Sequence, residues 1–256
     1  MSGKAAKRAR RQAAARRSPR AEEEPKRSLP PGIRLNMVYD PAPLRSIDSA
    51  AHDLITDYNR PADVARHRRQ LRLQLEKLFA DDSRPTPSCF AVVATDETAA
   101  TLYGAATLEP FLGEKLLEQD RENARHVAAL HRILASLFVV PGERGRGIGS
   151  ELLDAASLAV VRDQGRYLEG FVDDRDGSSD FYRRAGASVT SHNEPLPPRP
   201  PVNLKTTHYP GKDGHWFSVD GWERHHDTIL CSRCGGALDY IPSDGGTLRC
   251  PRCQGP

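Results

Sequence analysis

Short apolar runs alternate along this chain with stretches in which apolar residues return every three or four positions, the pattern of strands interleaved with amphipathic helices. Segments 32–38, 90–95 and 101–110 read as strands, the last two joined by a turn around Asp96-Glu97-Thr98. Between the first two, Pro61 opens a helix that carries Val64, Leu71, Leu75, Leu78 and Phe79 on one face. Residues 113–128 form a polar insertion with helical character, and a fourth strand opens at His131 and ends in Leu137-Phe138-Val139-Val140. A helix over 148–164 follows, with Ile148, Leu152, Ala155, Ala156, Ala159 and Val160 at helical spacing and Gly165 as its stop. A strand over 167–172 and a short helix within 178–187 complete the series.

The connection between the fourth strand and its helix is unusual: Pro141-Gly-Glu-Arg-Gly-Arg-Gly-Ile-Gly149. A strand that turns through glycines into a helix leaves several amides of the first helical turn unpaired and aimed at one point, where the helix dipole adds to their pull on an anion. The spacing matches neither a Walker loop, which needs Gly-Lys-Ser/Thr, nor the Gly-x-Gly-x-x-Gly dinucleotide fingerprint. What remains is Arg-x-x-Gly-x-Gly over Arg144 to Gly149, directly after the strand and its proline. Downstream, Tyr182-x-x-x-Gly186-Ala187 lies on the short helix. Strand, phosphate turn, helix, strand and tyrosine helix, in that order, resemble the GNAT superfamily of N-acetyltransferases.

The resemblance implies an α/β fold, a GNAT-like mixed central sheet flanked by helices, and acetyl-coenzyme A as co-substrate. The backbone of Leu137, Phe138 and Val139 would pair with the pantetheine arm as another strand does, and Arg144, Gly145, Arg146, Gly147, Ile148, Gly149 and Ser150 would supply the amides for the pyrophosphate. Tyr182 stands at the family's tyrosine position, the general acid for the departing thiolate. Arg175 stands seven residues earlier, where the family often has asparagine. For the base, Glu109 at the end of the third strand and His131 at the start of the fourth are the candidates that could reach an amine. Tyr58 and Arg60 lie where the family's early helices wall the acceptor site. The implied reaction moves an acetyl group to a primary amine on a protein, an aminoacyl-tRNA or a small molecule.

Charge changes the picture at one end. Residues 1–30 hold ten Lys/Arg against three Glu, so the net +3 of the chain becomes −4 over the rest. Residues 1–31 have almost no large apolar side chain to offset ordering entropy, and read as a disordered basic tail. A run such as Lys7-Arg-Ala-Arg-Arg11 suits the phosphates of nucleic acid or the ribosome. That keeps an alternative open: a nucleic-acid- or ribosome-binding protein whose GNAT domain binds acetyl-coenzyme A without significant turnover. No stretch nears the roughly 18 apolar residues of a membrane span, and a soluble, cytoplasmic protein is expected.

Near the other end, Cys231-Ser-Arg-Cys234 and Cys250-Pro-Arg-Cys253 carry the spacing of a four-thiolate zinc site, with a hairpin across Ser243-Asp-Gly-Gly246 to bring the pairs together; this resembles a zinc ribbon. Two disulfides or a redox pair are the competing readings. Cys89 is the odd thiol and reads as a small core residue, while His208, His215, His225 and His226 read as structural or exposed. Five prolines between Pro195 and Pro201 mark a stiff spacer. The expected organisation is therefore a tail over 1–31, an acetyltransferase-like domain over 32–192, a linker over 193–205 and a zinc-ribbon module over 206–256.

Overall fold

The computed structural model describes residues 29–39, 41–55, 58–112, 120–197, 213–225, 239–241 and 247–249. The basic tail up to residue 28 and the four cysteines of the expected zinc site lie outside them. Strands β1 (Ile33–Val38), β2 (Phe90–Asp96), β3 (Leu102–Pro110), β4 (His131–Val139), β5 (Tyr167–Asp173), β6 (Ser188–Val189) and β7 (Gly214–Asp220) form one sheet in the order β1-β2-β3-β4-β5-β7-β6. Every neighbouring pair is antiparallel except β4 and β5, so the sheet is mixed, as expected.

Helices cover both faces. On one side α4 (Ile148–Arg162) and α5 (Ser179–Arg184) bury Ile148, Leu152, Leu153, Ala156, Val160 and Tyr182 against Phe90, Val92, Leu108, Leu168 and Phe217. On the other, α1 (Pro41–Leu54) sets Leu44, Ile47 and Ala51 against Ala91, Val93, Ala105 and Phe138. Phe90, Val92 and Ala94 thus face one way and Ala91 and Val93 the other, which is why β2 reads as an unbroken apolar run and not as an alternation. Beside α1, α2 (Pro61–Leu78) packs Leu71, Leu75, Leu78 and Phe79 on α3 (Arg121–Leu130), where the helical part of the polar insertion lies. Cys89 is half-buried in that cluster, and burial pushes its thiol up to about 12, in keeping with a packing role.

Two expectations are corrected. Helix α4 ends at Arg162 and not at 164: Gln164 takes a positive φ of 61°, and Gly165 closes the end with its N–H on the Val160 carbonyl at 2.8 Å, where a Cβ would stand 2.8 Å from the Val160 side chain. The larger correction concerns the domain boundary. Residues placed in a separate 206–256 module instead supply β7, which pairs with β5 from Tyr167↔Asp220 to Asp173↔Gly214, and α6 (Gly221–His225). Trp222 donates its indole N–H to the Gly165 carbonyl at 2.7 Å, His225 bonds the buried Ser157 hydroxyl at 2.7 Å, and Arg224 pairs with Asp154 at 2.7 Å. These contacts make 213–225 part of the acetyltransferase-like core. The hairpin expected further on is present as β8 (Asp239–Ile241) paired with β9 (Thr247–Arg249). Among the described residues no helix is long and apolar enough to cross a membrane.

Candidate active site

Strand β4 leaves β5 early. Their ladder holds only His131↔Tyr167, Arg132↔Leu168 and Ile133↔Glu169, while on its other side β4 stays paired with β3 as far as Val139. Between Thr107 and Leu108 the β3–β4 register shifts by one, which leaves Ala135 as the extra residue of a bulge. A bulge bends its strand and raises the local twist, so the pair separates at this point. From Leu134 to Val139 one edge of β4 has no strand partner among the described residues.

The glycine turn lies at the far end of that edge. Gly145 and Gly147 hold φ of 80° and 85°, a region closed to most side chains, and Gly147 is the residue before α4. Of the seven amides expected to meet an anion, two are used locally: Arg144 N–H closes the preceding 3₁₀ turn on Pro141, and Ser150 N–H bonds the Gly147 carbonyl. The amides from Gly145 to Gly149 find no acceptor among the described residues. Arg144 donates through Nε to the Val139 carbonyl, tying the turn to the strand end.

A cavity of about 1040 Å³ runs along these parts, lined by Leu137, Phe138, Val139 and the turn from Arg144 to Ser150, with Arg146 excepted. Arg146 pairs with Glu143 and does not line it, a departure from the expected set. Tyr182 reaches the same cavity from α5, its ring stacked on Phe217 at 3.9 Å between centroids.

A second cavity of about 760 Å³ opens on the other side of the bulge, against Ile133, Leu134 and Ala135, and Ile55 lines both. Tyr58 and Glu109 line it as expected; Arg60 does not, and Arg175, paired with Asp173 at 2.7 Å, faces this cavity and not the first. His131 is corrected as a candidate base. It is 1% exposed, lines neither cavity, and is bonded through Nδ1 to the buried Glu169 at 2.9 Å.

Glu109 is the end of a buried chain of charges. Arg68 clasps Asp48 with two bonds of 2.7 and 3.0 Å and gives Nε to Glu109 at 2.9 Å; His67 Nε2 meets the other Glu109 oxygen at 3.1 Å. Burial works against the Glu109 charge, yet the bond from His67 and the charge of Arg68 outweigh it and hold the carboxyl below its ordinary value. Asp48 goes the other way, because burial pushes it up more than Arg68 pulls it down. Tyr58 donates its hydroxyl to Asp48, and burial followed by that negative charge pushes it up to about 12. His67, Arg68 and Asp48 escaped the sequence reading, though a signal existed: Arg68 falls in register between Val64 and Leu71, and Asp48 between Leu44 and Ala51, charges at positions that should be apolar.

Residues 87–186 match the family model of the acetyltransferase (GNAT) domain, from just before β2 to the end of α5. That stretch, 100 of the 256 residues, is where the chain matches a GNAT acetyltransferase domain. The chain is similar in structure to Ard1 from Thermoplasma volcanium, at 16% identity and a TM-score of 0.44 over 74% of this chain and 97% of that one. It is similar also to yncA, a putative acetyltransferase from Salmonella typhimurium solved with acetyl-CoA, at 13% identity and a TM-score of 0.44 over 74% and 94%. Spermidine N-acetyltransferase from Vibrio cholerae gives 12% and 0.44 over 77% and 99%. No curated protein matches the sequence significantly.

Proposed function

We propose that the protein transfers an acetyl group from acetyl-coenzyme A to a primary amine. The observation that carries this reading is the continuity of one cavity along the unpartnered edge of β4, the open amides from Gly145 to Gly149 and Tyr182. The pyrophosphate takes the amides and the dipole of α4, and the pantetheine arm lies along Leu137 to Val139. The thioester then lies at the Ala135 bulge, where the two cavities approach each other, and the amine enters from the side of Tyr58 and Glu109. The ammonium loses a proton into that second cavity, the neutral amine forms the C–N bond, and the C–S bond breaks. Tyr182 donates its proton to the thiolate, and the second proton lost by nitrogen restores the phenol through water.

Tyr182→Phe should lower kcat roughly 100-fold, with spermidine or a peptide bearing a free N-terminus as acceptor probe, and leave acetyl-coenzyme A affinity within about twofold. Thiol release measures the first and calorimetry the second; an unchanged kcat would reduce Tyr182 to its packing on Phe217.

We also propose one zinc ion held by Cys231, Cys234, Cys250 and Cys253. The antiparallel pairing of β8 with β9, in the stretch between the two cysteine pairs where the reading calls for a hairpin, supports it. Elemental analysis of reduced protein should give one zinc per chain, lost in Cys250→Ser; no zinc with four titratable thiols would refute it. The basic run of residues 1–30 is proposed as a contact for phosphates of nucleic acid or the ribosome, because the rest of the chain, at −4, has no net attraction for them.

A further inference from the structure

The acceptor cavity holds three carboxylates, an arginine, a histidine and the Tyr58 phenol, and most are committed. Asp63 pairs with Arg66 at 3.2 Å, Asp173 with Arg175 at 2.7 Å, and Glu109 with Arg68 at 2.9 Å. Arginine does not give up its proton, and a carboxylate held ionised by arginine is a weak base. His67 differs. Its side chain is 61% exposed on the cavity, while Nε2 is anchored on the buried Glu109. In the neutral ring that anchor fixes Nε2 as the donor and leaves the lone pair on Nδ1.

We infer that His67 is the base that takes the proton of the incoming ammonium, with Glu109 as its orienting and charge-stabilising partner and Arg68 and Asp48 as the residues that hold Glu109 in place. The inference rests on the acetyl-transfer reading. The N–H bond of the ammonium breaks, its proton goes to His67 Nδ1, and the electron pair left on nitrogen forms the C–N bond while the C–S pair departs on sulfur. The imidazolium produced faces the Glu109 carboxylate, and it returns its proton to solvent through the open side of the cavity. This assigns to His67 the role first expected of Glu109, and gives Glu109 the supporting one.

Glu109 from β3 and Arg68 from α2 act directly on the ring, and Asp63 from α2, Tyr58 from the preceding loop, Asp173 and Arg175 line the same cavity. The bond to Glu109 raises the pKa of His67 above its ordinary value, against burial and Arg68. The base form therefore fills as pH rises through a value above about 6.5, and turnover rises with it.

The test uses the full chain in two measurements. In NMR titration of the histidine ring signals, with His67→Gln as the assignment control, His67 should titrate above the ordinary histidine value and drop in Glu109→Gln. Turnover of spermidine should show an ascending pH limb at that value, and His67→Gln should lose the limb and about 100-fold in kcat with acetyl-coenzyme A affinity unchanged. A His67 signal that titrates at or below the ordinary value, unmoved by Glu109→Gln, overturns the assignment. So does a His67→Gln variant that keeps the wild-type rate and profile. Absence of acetyl-coenzyme A binding in the wild type would instead refute the acetyl-transfer reading on which the assignment stands.

Discussion

Arg68→Met should destabilise the protein by about 3–5 kcal/mol, because it strands two buried carboxylates whose shared partner it removes. The Asp48 side chain is 1% exposed, so it would keep only the Tyr58 hydroxyl, and Glu109, 11% exposed at the cavity wall, would keep only His67. For a domain of this size the loss corresponds to a fall in Tm of about 6–20 °C. The pH dependence gives the cause. Burial already raises Asp48, which should rise further without Arg68, while Glu109, held below its ordinary value, should lose part of what holds it there and rise as well. A group raised in the folded state stabilises below its unfolded pKa and ceases to do so as pH climbs, so the deficit of Arg68→Met should shrink as pH falls toward about 4. Denaturant titrations at pH 5 and pH 8 measure it. A deficit below about 1 kcal/mol at pH 8 would mean that the buried charges are not coupled as their geometry indicates.

The parts of this fold that the sequence discloses are those whose local pattern agrees with their environment. Helix α4 carries its apolar face at regular spacing and begins at glycines with positive φ, so helix and turn are legible together. The same holds for α2, whose Val64, Leu71, Leu75 and Leu78 are all buried. Strand β7 is the opposite case. It is covered on both faces and follows a proline-rich stretch, so neither alternation nor continuity with β5 marks it, and its pairing spans residues more than forty positions apart. Proline density is evidence of a stiff segment and says nothing of what lies beyond it. Helix α1 likewise begins Pro41-Ala-Pro43 and carries a charge, Asp48, in its buried face, which masks the periodicity.

At the candidate site, the glycine turn and its open amides were legible because glycine spacing and backbone amides are local properties. The acceptor side was not. Glu109, His67, Arg68 and Asp48 come from β3, α2 and α1, and only tertiary packing joins them; His131, a reasonable base by position, is turned into the core by its bond to Glu169.

The second large effect is expected at Gly147. This residue precedes α4 at φ 85°, among the amides without an acceptor in the described residues, and it lines the cavity proposed for acetyl-coenzyme A. Gly147→Glu places a carboxylate where the pyrophosphate would lie, so it blocks the amides and repels the ligand, and a side chain at positive φ adds about 1–2 kcal/mol of strain. Calorimetric titration of the full chain with acetyl-coenzyme A tests the central claim. The wild type should bind one molecule per chain, and Gly147→Glu, still folded by circular dichroism, should lose at least about 100-fold in affinity. A wild type that does not bind, or a folded Gly147→Glu that binds as the wild type does, would contradict the assignment of the β4 edge and its glycine turn as the acetyl-coenzyme A site.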